Sequence, residues 1–167
     1  MKGKTNRLVV VLFVAVALLT AFAPAAGFAK GNKTYFEGTS CGVADLDEGT
    51  WTELGNGKYR VVGLQEQYRE ETGDPRNTGD NIVTVNMIVD VTTGSGPYWG
   101  TFNVVNDQGS WSGHFTGRLD NWAGSGRATG HGSGAYEGLV SQATMSRPNP
   151  EVCYEISGYV VETGAGQ

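Results

Sequence analysis

Between Ser110 and Leu119 the chain reads SWSGHFTGRL, so that Trp111, Gly113, Phe115, Gly117 and Leu119 fall at every second position. Strict alternation of this kind makes a strand with one buried face. On that face large side chains alternate with none. A small closed barrel needs such a pattern, because its tapering interior cannot hold a bulky residue at every inward position. The neighbouring chain repeats the device. Tyr98, Gly100, Phe102 and Val104 precede it in register, and Trp122, Gly124, Gly126, Ala128 and Gly130 follow. The stretch from Tyr98 to Leu139 therefore fixes the class of fold.

The rest of the chain supplies the remaining strands. Thr34–Cys41, Lys58–Arg69, Asn81–Thr92, Tyr98–Val105, Ser110–Leu119, Trp122–His131, Leu139–Arg147 and Val152–Thr163 are β-rich runs bounded by Gly, Pro, Asn and Asp. Gly42–Gly57 reads as an acidic, turn-rich connection, with Trp51 either anchoring it to the barrel or starting a short strand. Glu70–Asp80 reads as a loop. No window sustains a period of 3.6, so little helix is expected. A meander of this size hides its two edges by closing on itself. The expectation is a single all-β domain over residues 30–167, with 34–163 as its ordered core: an eight-stranded antiparallel barrel. Eight strands enclose just enough space for packed side chains or one small ligand.

Residues 1–29 have the form of a signal peptide, with Lys2, Lys4 and Arg7, an apolar run from Leu8 to Ala23 and a small-residue end at Gly27-Phe28-Ala29. Cleavage is expected after Ala29, with Ala25 as the alternative site and an uncleaved N-terminal anchor as the alternative reading of the apolar run, and the processed product is expected to be secreted or periplasmic without stable membrane insertion. Removing the leader's three basic residues from twelve leaves nine against seventeen acidic ones, a net charge near −8. That balance excludes a nucleic-acid partner, which needs a basic face. Cys41 and Cys153 are an even pair in an exported chain. In an eight-strand meander the end of the first strand and the start of the last are antiparallel neighbours. Parity puts both cysteines outside, so a disulfide on the outer face of the closing seam is expected.

Candidate chemistry is sparse. With Trp111, Phe115 and Leu119 inside, His114 and Arg118 point out, as do His131 and Arg127. No Cys/His cluster offers zinc a third ligand, and Asp74, Asn77 and Asp80 do not follow an EF-hand spacing. Glu137 lies in a turn at one end of the barrel. The Gly124–Gly134 run lacks the Lys-Ser/Thr ending of a phosphate loop, and no nucleophile elbow is present. No metal, cofactor or catalytic residue is assigned.

Gly130-His131-Gly132-Ser133-Gly134-Ala135-Tyr136-Glu137-Gly138-Leu139 resembles the G-x-G-x-Y/F-x-G-L turn and strand of the allene oxide cyclase and dirigent barrel superfamily. The resemblance runs from about Tyr98 to Val161. Lipocalin-like and streptavidin-like barrels also carry Gly-rich hairpins. The resemblance implies an eight-stranded, often trimeric barrel with a lumen for an apolar ligand. Plant members cyclise an epoxy fatty acid or direct phenoxy-radical coupling; none of their polar catalytic residues maps onto a position here. Three readings follow. The first is an exported barrel binding a small apolar molecule through Tyr59, Phe102, Trp111, Phe115, Trp122 and Tyr154. The second is an isomerase or cyclase on the same scaffold, which requires a polar group inside the barrel. The third is an oligomeric structural or surface protein presenting Trp99, Tyr159 and Val161.

Overall fold

The structure, a computed structural model, describes residues 32–163; the proposed leader lies outside the described residues. Nine strands follow in order: β1 (Lys33–Asp47), β2 (Thr50–Gly55), β3 (Lys58–Thr72), β4 (Gly79–Asp90), β5 (Gly96–Val105), β6 (Gly109–Asp120), β7 (Ala123–Gly134), β8 (Leu139–Arg147) and β9 (Tyr154–Glu162). A single turn of 3-10 helix spans Pro75–Asn77. From β3 to β9 each strand pairs antiparallel with the next. β1 then closes the ring, its first half on β9 and its second half on β3.

The ninth strand does not add a ninth stave. β1 and β2 both run antiparallel to β3, with Asp47 opposite Gln65 and Thr50 opposite Val62. They are one long strand broken at Glu48-Gly49, and the barrel has eight staves. The expected turn region of Gly42–Gly57 is thus mostly extended chain. Its acidic and glycine residues mark the break. Gly49 has φ +67°, and a Cβ there would lie 2.6 Å from the Leu64 amide nitrogen. The Asp47 carboxylate accepts the Gly49 N–H at 2.8 Å.

A matching irregularity in β3 decides what the lumen contains. The β3–β4 register shifts between Val61 and Leu64. Gly63 sits there at φ +77°, its N–H donated to Asn86 Oδ1 at 3.1 Å. An inserted residue reverses which face later side chains meet. Before Gly63, Val61 is buried. After it, Leu64, Glu66, Tyr68 and Glu70 line the interior, and Gln65 and Arg69 are exposed. β3 also runs on to Thr72, so Glu70 belongs to a strand rather than to the expected loop. Trp122, expected to open a strand, instead sits in the β6–β7 turn at φ +65°.

β6 keeps the expected faces. Trp111, Phe115 and Leu119 are buried, and Ser112, His114, Thr116 and Arg118 are exposed, as is His131. Gly117 is needed by close approach, since a Cβ there would lie 2.2 Å from the Tyr98 ring that crosses it from β5. One core cluster joins Val61, Val83, Val85, Val89, Tyr98, Phe115 and Leu119. A second joins Phe36, Val104, Trp111, Tyr136 and Val160.

The second cluster sits over a plug. The β3–β4 connection, Gly73–Thr78, folds beneath one end of the barrel. The Trp111 indole donates to the Arg76 carbonyl at 2.6 Å. The Asn106 amide donates to the Thr78 carbonyl at 2.9 Å and accepts from the Tyr136 hydroxyl at 2.7 Å. Asp74 holds Arg76 through its carboxylate and is itself buried. Asp80 pairs with Arg69 at 3.0 Å. These two aspartates serve ion pairs and a cap.

Cys41 and Cys153 are bridged, with Cα atoms 4.4 Å apart. The last β1–β9 pair is Ser40 with Tyr154. The bridge lies one residue beyond it, where β1 leaves β9. Ser40 and Tyr154 line the cavity, so alternation places the cysteines on the other face. A bridge of this kind fits an oxidising environment.

Candidate functional site

The lumen holds a cavity of about 360 Å³. Its two ends differ. Trp51, Trp122 and Pro150 line it and are exposed, which marks the mouth. Ser40, Asn77, Asn81 and Ser141 line it and are buried, which marks the floor above the plug. Between them the wall is mainly apolar, with Val83, Val85, Met87, Phe102 and Ile156.

The structure brings together five of the six aromatic residues that share the expected inward parity. Phe102, Trp111, Phe115, Trp122 and Tyr154 line the cavity. Trp111 does so as part of the closed end and Trp122 as part of the rim. Tyr59 packs against the first core cluster and meets Trp51 edge-on at 6.0 Å instead. Trp99, on the outer face, is 38% exposed. Tyr159 donates to Gln142 and carries the Lys33 ammonium 3.8 Å above its ring. Glu137 is exposed in the β7–β8 turn.

Reasoning from the aromatic alternation missed the polar side chains of the lumen. One group lies partway along it. The Tyr68 hydroxyl donates to Glu66 Oε2 at 3.0 Å. The Tyr68 and Tyr154 rings meet edge-on at 6.2 Å, and the Arg147 guanidinium lies 4.6 Å over the Tyr154 ring. Such a cation over a ring is attracted by its electron-rich face. Among the described residues the Tyr98 hydroxyl is buried without a hydrogen-bond partner, although it lies near enough to Tyr154 for each to perturb the other's ionisation.

Burial sets the protonation of this group. It raises Glu66 above the ordinary carboxyl value, against the opposing pull of the Tyr68 hydroxyl and the Arg147 charge. It also raises Tyr68, with the Glu66 charge adding to the effect, and Tyr98 and Tyr154. These phenols therefore stay protonated at neutral pH and act as hydrogen-bond donors, while Glu66 is an acceptor or proton carrier.

The second group is at the floor. The Asn81 amide donates to Glu70 Oε1 at 2.5 Å, and the Ser141 hydroxyl donates to Asn77 Oδ1 at 3.0 Å. Desolvation pushes the Glu70 carboxyl up to about 7, with the Asn81 hydrogen bond opposing the shift. The folded chain thus keeps a proton on Glu70 that the unfolded chain releases. The stabilisation is complete below the ordinary value of 4.5 and is lost as the pH rises through about 7. Urea unfolding should show stability falling between these limits, by on the order of 3 kcal/mol from Glu70. In Glu70→Gln the slope should largely flatten; an unchanged slope would show that Glu70 does not titrate this way.

A sequence signal for the inward turn of Glu66, Tyr68 and Glu70 existed. Tyr59 and Val61 share one parity, Leu64 and Tyr68 the other, and the glycine between them is the usual mark of a bulge. Among the described residues no cluster of three or more His, Cys, Asp or Glu is placed to hold a metal ion. No protein-family model matches the chain, and no curated protein matches it either.

Proposed function

We propose that this chain is an exported barrel that binds one small, mainly apolar molecule in its lumen. The observation that carries the reading is the cavity itself. It is closed at one end by the Gly73–Thr78 plug, open at a tryptophan-lined rim, and walled chiefly by apolar side chains. Apolar area withdrawn from water contributes about 25 cal/mol per Å², and a pre-formed cavity loses little of that to reorganisation. The bridge between Cys41 and Cys153 supports export to an oxidising compartment. The resemblance to allene oxide cyclase and dirigent barrels supports the same reading.

The test is a fluorescence titration with N-phenyl-1-naphthylamine, an uncharged apolar dye. Binding should be saturable at one dye per chain. Ala128→Phe and Ala143→Phe, which place a ring in the cavity, should weaken it at least about tenfold, the effect of losing roughly 1.4 kcal/mol. Ile82→Phe, on the outer face, should leave it unchanged. Saturable binding that survives both filling substitutions in folded protein would place the dye elsewhere and contradict the reading.

A second reading, an isomerase or cyclase for a small apolar substrate, is favoured by one observation. Glu66, Tyr68 and Arg147 bring an acceptor, a protonated phenol and a fixed positive charge to the same cavity. That set supplies a proton carrier and charge stabilisation to a bound molecule. If it acts so, a turned-over ligand should be detected by mass spectrometry after incubation with the folded chain but not with Glu66→Gln. Binding without chemical change in both would leave only the carrier.

A further inference from the structure

The floor of the lumen is built unlike its wall, and its composition specifies the ligand. Asn77 and Asn81 are 6% and 5% exposed, and both line the cavity. Each amide has one side-chain partner. Asn77 is held by Ser141 and Asn81 by Glu70. Among the described residues, the second polar atom of each amide, Asn77 Nδ2 and Asn81 Oδ1, is buried without a hydrogen bond. Turning either amide over exchanges the donor for the acceptor but leaves one unpaired group on each. Among the described residues, Glu70 Oε2 also makes no hydrogen bond. A buried polar group without a partner costs roughly 1–3 kcal/mol. Two such amides and half a carboxyl at the end of an apolar cavity are groups that a ligand atom can complete.

The chemistry of that atom follows from what surrounds it. Among the described residues no Lys or Arg lines the floor, and the one cation in the cavity wall, Arg147, lies over Tyr154. A carboxylate or phosphate placed there would be buried beside Glu70 with no cation to pair with. An alkane would leave the amides unpaired. A hydroxyl or primary amide both donates and accepts, so it can meet an asparagine carbonyl, an asparagine N–H and a carboxyl oxygen together.

We propose that the closed end of the lumen is a head-group site. Glu70, Asn77 and Asn81 receive the single uncharged, hydrogen-bonding group of an otherwise apolar ligand, such as an alcohol or a primary amide. The proposal rests on the lumen-binding reading and narrows its ligand class.

The test displaces N-phenyl-1-naphthylamine from the wild-type chain at pH 7 with octane, 1-octanol, octanoate and octylamine. 1-Octanol should bind at least about tenfold tighter than octane, the effect of one or two hydrogen bonds in a buried site. It should also bind tighter than octanoate, which meets no cation there, and than octylamine, whose donor-only ammonium offers no acceptor to Asn77 Nδ2. In Asn77→Leu and Asn81→Leu the alcohol's advantage over the alkane should shrink to within about threefold, while dye binding persists; this arm reads a ratio within each variant, so altered stability does not mimic the result. Equal binding of octane and 1-octanol, or tighter binding of either charged compound, overturns the head-group site and leaves the lumen reading standing. Failure of the dye to bind at all overturns the lumen reading instead.

Discussion

Replacing Trp111 with alanine is expected to lower folding stability by about 3–5 kcal/mol, the range for truncating a large buried aromatic. Three features put it at the upper end. Its side chain is 1% exposed, it stacks on Tyr136 with ring centroids 5.3 Å apart, and its indole donates to the Arg76 carbonyl at 2.6 Å. The loss therefore combines a cavity with a plug carbonyl left to its one longer bond, from the Asn106 amide at 3.4 Å. Urea unfolding measures the first effect. Hydrogen exchange measures the second, as faster exchange of the Gly73–Thr78 amides. Trp111→Phe keeps most of the packing and removes only the hydrogen bond, so it should cost about 1–2 kcal/mol. A Trp111→Ala loss below about 1 kcal/mol, with the plug still protected, would show that Asn106 alone holds the floor.

Removing the bridge with Cys41→Ser and Cys153→Ser together should cost about 4–5 kcal/mol, since the bridge spans 112 residues and closing a loop of that length restricts the unfolded chain most. The native state adds a local reason. Beyond Cys41, β1 has no partner on β9, and its upper half runs with β2 along β3 only. The residues there, including Val43, Leu46 and Leu54, are exposed. The bridge pins the seam at the point where it would open. The expected result is a lowered unfolding midpoint in the double variant, with faster exchange in Cys41–Asp47 than in β6. Identical midpoints for the oxidised and reduced chains would contradict it.

How much of this could be read from the chain depends on how local the signal was. The barrel was legible because its evidence is periodic: Trp111, Phe115 and Leu119 alternate with glycine, and the cysteines fall at two strand ends that a closed meander must bring together. The eight-stave ring and the bridge are both present in the structure. The continuation of β1 into β2 was hidden, because Asp47, Glu48 and Gly49 carry the composition of a turn and mark only a break in a strand. The polar lumen was hidden for a related reason. Glu66 and Glu70 lie at positions that an uninterrupted β3 would turn outward, and only the insertion at Gly63 brings them in. Charged residues in a strand are usually solvent-facing, so composition argued for the wrong face. The unpaired amides of Asn77 and Asn81 depend on side-chain geometry, which alternation does not encode.

The central claim is that the lumen, and not the outer surface, takes the ligand. The most direct measurement is a methyl NMR titration of the folded, oxidised chain with 1-octanol. Val83, Val85, Met87 and Met145 line the cavity, while Ile82 and Ile88 face out and are 47% and 37% exposed. The account predicts saturable shifts in the first four, strongest toward the floor, and none in the two isoleucines. Shifts confined to Ile82 and Ile88, or the absence of any saturable shift in the lumen methyls, would contradict it.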